Sequence, residues 1–179
     1  MENEFDLLID KCFDIFTKKT KDYGTSWRIM RISSMTDQLF IKAKRIKTIQ
    51  DEKKSLVNDS IEDELVGIVN YSILSLIQLN ISEGSSLSLT LDESQKLYKQ
   101  EVSLNLELMR KKNHDYGQAW KFMRVSSIID MILMKLIRIK QIENNGGKTL
   151  ISESVESGYR DIFNYALFAF KNLEKGNDL

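Results

Sequence analysis

The residues best equipped for chemistry lie on two acidic helical stretches, each preceded by basic residues. The first reads Asp59-Ser-Ile-Glu62-Asp63-Glu64-Leu-Val-Gly67-Ile-Val-Asn70-Tyr71, and the second Glu153-Ser-Val-Glu156-Ser-Gly158-Tyr-Arg-Asp161-Ile-Phe-Asn164-Tyr165. Asp59 and Asp63 are four apart and share a helix face; Asn70 returns to it two turns later. Glu153, Asp161 and Asn164 recur on the corresponding stripe. A row of carboxylates repels itself and needs an offset: water, a basic partner or a hard cation. Magnesium suits carboxylate oxygens and commonly binds substrate phosphates as well. Lys42 and Arg45, with Lys135 and Arg138, would supply the positive charge that phosphates require. Asn70 and Asn164 stand in otherwise apolar runs, where a buried amide needs partners. The plainer alternative is a set of solvated ion pairs between neighbouring helices, each worth under about 1 kcal/mol.

These residues are positioned by a repeat. Residues 18–47 and 111–140 align at an offset of 93, with fifteen of thirty positions identical and most of those polar, charged or aromatic. Cores tolerate exchange among apolar residues, so a shared polar set suggests a shared task. Phe5, Leu8, Ile9, Cys12, Phe13 and Phe16 predict a first helix. Its copy carries Leu97, Leu104, Leu106, Leu108 and Met109 behind a Thr90–Glu93 capping box. Asp-Tyr-Gly follows in both halves, where Gly24 and Gly117 can take positive φ and stop the helix. A short helical stretch over 27–32 and a long second helix come next. For that helix Ser34-x-x-Asp37 and Ser127-x-x-Asp130 are either caps or interior residues. The third helix is predicted from about Asn58 to Asn80 and, at an offset of 94, from Ser152 to Leu173. Ser82–Ser88 is the linker-like segment, and no strand is predicted.

The fold class expected is all-α: two repeated three-helix units, 1–81 and 90–179, packed as one pseudo-twofold bundle. Halves of about 90 residues are marginal alone. The chain has no proline, where ordinary usage of about 5% would give roughly nine, and long helices are favoured accordingly. With 26 basic and 26 acidic residues, the balance disfavours nucleic acid as a partner. Cys12 alone cannot form an internal disulfide and fits a reducing compartment, as a buried small hydrophobe. The acidic opening MENEFDLLID is not expected to be a secretion signal. Ile68–Leu79 is too short and too polar to cross a bilayer. A soluble, cytoplasmic protein with no membrane partner is expected, and pairing into a homo-oligomer is left open.

The pattern Lys-x-x-x-Asp-Tyr-Gly, then Lys-x-x-Arg, then an acidic helix ending in Asn-Tyr, resembles the nucleotide-modification-associated domain family. Its members are similar to the all-α nucleoside triphosphate pyrophosphohydrolases of the MazG and dimeric dUTPase type. The resemblance covers nearly the whole chain, once per half. It implies magnesium held by acidic residues on two helices, one bearing Glu-x-x-Asp, and cleavage of a nucleoside triphosphate to monophosphate and pyrophosphate. That motif falls on Glu64-x-x-Gly67 and Gly158-x-x-Asp161, so each copy lacks a different member. A further acidic position falls on Asp63 in one half and on Ser157 in the other. On the preceding helix Asp37 and Asp130 are the nearest metal-binding candidates. The implied metal set is Asp59, Asp63, Glu64, Glu153 and Asp161.

The expected function is binding of a nucleotide or other phosphorylated small molecule with magnesium; if the chain is active, the reaction is pyrophosphohydrolysis. Lys42, Arg45, Lys135 and Arg138 would stabilise the leaving pyrophosphate. Asp63 or Asp161 would orient water as general base. Tyr23, Trp27, Tyr116 and Trp120 could stack on the base, with Asp22, Asp115, Asn70 and Asn164 completing the substrate set. Both tryptophans fit core anchors equally well, and Asp-Tyr-Gly fits a simple helix stop. The rival is a catalytically inactive helical scaffold, in which the repeated charges pair with each other. The repeat is read as an ancestral dimer fused into one chain, and its mirrored ionic groups are expected to gather about one shared cleft.

Overall fold

Caps and glycines set the helix boundaries. The computed structural model describes residues 4–54, 60–151 and 153–176. They form α1 Asp6–Tyr23, α2 Ile32–Glu52, α3 Ile61–Asn80, α4 Leu91–Tyr116, α5 Val125–Asn144 and α6 Val155–Glu174, with no strand among the described residues. Single 3₁₀ turns, Ser26–Ile29 and Ala119–Phe122, join α1 to α2 and α4 to α5. Gly24 and Gly117 end α1 and α4 at φ of 63° and 58°, donating to Thr20 and Asn113 carbonyls. Only glycine takes this backbone region without steric cost. The helical stretch expected at 27–32 is therefore shorter and earlier. Ser34 and Ser127 lie inside α2 and α5, whose first turns follow extended Arg31 and Arg124.

The Thr90–Glu93 capping box has both of its reciprocal bonds, 3.2 and 2.7 Å. Two more boxes open α3 and α6, Ser60 with Asp63 and Ser154 with Ser157. Their third positions are not Glu or Gln, so the standard signature misses them. The starts expected for these helices, Asn58 and Ser152, lie outside the described residues.

Within each half α2 packs on α3 and α5 on α6; between halves α3 packs on α6 and α2 on α5. These four helices enclose the core, while α1 and α4 lie against α3, and α4 reaches α6. Helix α3 is buried almost all round. The hydroxyls of Ser72 and Ser75 in it donate to the Ile68 and Tyr71 carbonyls, which removes the cost of burying them.

The halves are related by a pseudo-twofold operation that the ion pairs make visible. Lys47 binds Asp130 at 2.9 Å, and Lys140 binds Asp37 at 2.7 Å. Each bond is the other's image at an offset of 93, the reciprocity that defines a twofold interface. Asp37 and Asp130 thus reach across to the other half instead of approaching the acidic helices as metal ligands. The first helices are also exchanged. Tyr98 of α4 stacks on Phe16 of α1 at 4.6 Å, and its repeat mate Phe5 packs against Trp120 and Phe168 of the second half.

The linker is tied down as well. Thr25 Oγ1 donates to the Leu87 carbonyl and accepts from the Leu89 amide; Arg28 donates to the Ser85 and Ser86 carbonyls. Among the described residues no helix is long and apolar enough to cross a membrane.

Candidate functional site: a duplicated cavity

Each half contains a cavity where the end of its first helix, the 3₁₀ turn and the third helix meet. The first encloses about 560 Å³ and the second about 400 Å³. Ten of the twelve residues lining the second are repeat mates of residues lining the first. Five of these pairs are identical: Lys19 and Lys112, Tyr23 and Tyr116, Trp27 and Trp120, Asn70 and Asn164, Tyr71 and Tyr165. The exchanged ones are Phe16 and Met109, Thr20 and Asn113, Ser26 and Ala119, Gly67 and Asp161, Leu74 and Phe168. The cavities share no lining residue, so the single shared cleft expected from the sequence is replaced by one cavity per half.

Amides in the last turns of α3 and α6 hold the 3₁₀ turns that carry the tryptophans. Gln78 donates to the Arg28 and Met30 carbonyls, and Asn172 to those of Trp120 and Met123. Both indole Nε1 groups are buried without a partner among the described residues. Trp120 is 5% exposed and stacks on Phe168 at 4.5 Å with the rings 7° apart. One of its faces is therefore committed to the core. Trp27 is half-buried, and Tyr23 and Tyr116 stand 69% and 76% exposed at the cavity rims. Asp22 and Asp115 are exposed outside both cavities, Asp115 beside His114 at 3.2 Å.

The paired asparagines differ. Asn70 accepts from the Tyr98 hydroxyl at 2.6 Å and donates to the Cys12 carbonyl, binding α3 to α4 and α1. Asn164 is buried with its Oδ1 unpartnered among the described residues. The repeat mate of Tyr98 is Phe5, which has no hydroxyl to offer.

The expected catalytic and metal-binding carboxylates are committed to other bonds. Asp63 lines the first cavity, but its carboxylate accepts from the Ser60 amide and hydroxyl at 3.1 and 3.0 Å. Those bonds hold its pKa below the ordinary carboxylate value. Buried Glu64 lies between Lys42 at 3.5 Å and Arg45, closer still. In the second half Lys135 binds Asp161 at 2.9 Å and Glu153 at 3.2 Å, and Asp161 also accepts from Lys112 at 2.6 Å. Burial would lower the Lys135 pKa, but its bonds and charge contacts to Asp161, then Glu153, outweigh that and raise it. Arg138 is exposed, 3.8 Å from Glu153.

Among the described residues no three carboxylate, histidine or cysteine groups gather to hold a metal. A lysine ammonium stands between the two carboxylates where a cation would sit. Asp59, another expected ligand, lies outside the described residues. Among the described residues the carboxylates do not fit a magnesium site.

Lys19 and Lys112 line the cavities although the sequence reading does not single them out. As part of a Lys-Lys pair near a helix end they read as partners of the helix dipole, although their retention in both copies was the available signal. In the Arg160 cluster only the Glu156 pair, four residues apart on one helix, has a sequence signal; the α4 partners have none. Arg160 of α6 binds Glu156 at 2.6 Å, Asn105 at 2.9 Å and Glu101 at 3.1 Å, and its repeat mate is Val66.

The second cavity is a mostly apolar pocket whose lysine is paired. The first combines a half-buried lysine, an exposed lysine and a half-buried indole, groups suited to an anion joined to a flat ring. No curated protein and no solved structure matches the chain. The family described as Nucleotide modification associated domain 1 matches twice, over residues 19–79 and 112–173, so the cavity-bearing segments carry the match in each half. The chain belongs to this family and holds two copies of its domain.

Proposed function

We propose that this protein binds a nucleotide or another phosphorylated small molecule in the cavity that its repeat builds. The observation that carries the reading is the duplication of the cavity lining itself, at ten corresponding positions. Ion pairs that only hold the fold together give no reason to keep an aromatic, a lysine and an asparagine around the same empty volume twice. The family's printed description, nucleotide modification, agrees in direction. Flat rings have Trp27, Tyr23 and Tyr71 to lie against in the first half, and phosphate has Lys19 and Lys42.

The reading is of binding, without the pyrophosphohydrolysis that a resemblance to MazG-type enzymes would imply. The carboxylates that would hold magnesium and orient water are spent on Lys42, Arg45, Lys112, Lys135 and the Ser60 cap. A scaffold role has its own support in one subset of the repeated charges, the reciprocal Lys47–Asp130 and Lys140–Asp37 pairs, which join the halves.

Equilibrium binding of canonical and modified nucleoside mono-, di- and triphosphates, with and without magnesium, tests the reading. Saturable binding that survives chelation, without pyrophosphate release, is the expected outcome. No binding across the panel would remove it. Magnesium-dependent pyrophosphate release would instead assign the chain the hydrolase activity.

A further inference from the structure

The two cavities descend from one design but differ in charge: Lys19 and Lys42 line the first with Asp63, whose carboxylate is turned to the Ser60 cap, while Lys112 lines the second with Asp161. One position places a carboxylate on the lysines in the second and not in the first. In α3 that position is Gly67, and the Lys42 side chain lies across it: a Cβ there would meet Lys42 Cδ, Cε and Nζ at 3.0, 3.0 and 3.1 Å. The Lys42 ammonium lies 5.8 Å from the Tyr71 ring centroid, beside the cavity that Lys42 lines. Its nearest carboxylate, Glu64, sits at the long distance of 3.5 Å and is held more closely by Arg45. Lys19, which lines the same cavity from α1, makes no ion pair among the described residues.

In α6 the position is Asp161. Its two oxygens take Lys112 at 2.6 Å and Lys135 at 2.9 Å, the repeat mates of Lys19 and Lys42. Lys135 does not line the second cavity, and Lys112 reaches it already paired. One carboxylate therefore pairs with both cations, whereas in the first half Lys42 shares Glu64 with Arg45 and Lys19 has no carboxylate partner among the described residues. The remaining wall carries no charge: Met109, Met123 and Met131 lie with the Trp120–Phe168 stack, and Asn113 and Asn164 are its neutral polar groups.

We propose that the chain has a single anion site, in the first cavity, and that Asp161 converts the second into a site for an uncharged, flat molecule such as a nucleoside or free base. This rests on the ligand-binding reading above and narrows it. The phosphate-bearing ligand occupies one site per chain, and the second cavity recognises the ring without the phosphate.

The chain has two tryptophans, one in each cavity wall, so their indole N–H resonances report each site separately. Inorganic pyrophosphate is titrated into the full-length protein in chelator-treated buffer. Trp27 is expected to shift saturably and Trp120 to stay fixed. In Asp161→Asn the released lysines should make Trp120 respond as well. Lys42→Gln should weaken the Trp27 response at least tenfold. Gly67→Asp carries the masking carboxylate into the first cavity and should silence Trp27, which keeps the test alive if Asp161→Asn does not fold.

Equal responses from both indoles in the wild type would overturn the asymmetry while leaving ligand binding intact. Silence of both indoles, or a silent Trp120 in folded Asp161→Asn, would also overturn the proposal. Nucleotide binding in the panel assay would stand or fall separately.

Discussion

Glycine inside a helix costs about 1 kcal/mol relative to alanine, and at Gly67 the vacated space is filled by the Lys42 side chain. Gly67→Ala should therefore separate stability from binding. Only the flexible end of Lys42 opposes the new methyl, so thermal stability should hold or rise by up to about 1 kcal/mol. Ligand affinity should fall, by about tenfold if Lys42 is displaced from a single charge-assisted hydrogen bond. Differential scanning calorimetry and nucleotide titration on the same sample decide it; unchanged affinity would mean that Lys42 does not hold the ligand. Gly158, the other gap in the motif, behaves differently because a Cβ there would lie 2.8 Å from Ile139. The missing glutamate of the second half thus has a packing counterpart.

What the sequence made legible at this scale was which residues are kept, not what keeps them. Asp37, Lys47 and their mates were retained like Lys42 and Asn70, yet they serve the contact between halves. Pairing partners 83 and 103 residues apart leave no spacing signal.

Helices were more legible than sites, because apolar spacing and a glycine stop act locally. Errors arose at the ends, where one side chain decides the boundary. The Ser60–Asp63 box is such a case, and it couples α3 to pH. Hydrogen bonds from Ser60 depress the Asp63 pKa below its ordinary 3.8. On acidification the unfolded chain binds this proton before the folded one does. The stabilisation is therefore complete above the unfolded value and is lost as pH falls through the depressed one. Ser60→Ala should cost about 1 kcal/mol at neutral pH, and the penalty should shrink near pH 3. Ser154→Ala disrupts a box whose third residue, Ser157, does not titrate in this range, and its penalty should stay constant. Urea denaturation of both variants at the two pH values makes the comparison. A pH-independent Ser60→Ala penalty would show that the Asp63 carboxylate adds nothing to the cap.

For the molecule as a whole, the reciprocal ion pairs and the exchanged Tyr98 and Phe5 make each half a component of the other. Exposed pairs of this kind contribute little, under about 1 kcal/mol each. The association must therefore come from the apolar packing of α3 on α6 and of α2 on α5; in α3 and α6 Ile68, Ile73, Leu76, Ile162, Phe163 and Leu167 are at 0% exposure. In the first half, moreover, the aromatic cluster beside the cavity includes Tyr98 from the second. A half of this size buries too little surface to be secure alone, and here its most apolar helix would face water. Fragments 1–81 and 90–179, produced separately, should each lack a cooperative thermal transition. Mixed at equal concentration, they should recover one whose midpoint rises with concentration, as for any obligate dimer. Mass photometry or sedimentation alongside circular dichroism reads both properties. A sharp transition from either fragment as a monomer would show that the repeat folds by itself, and that the contact between halves is an addition to a domain already complete.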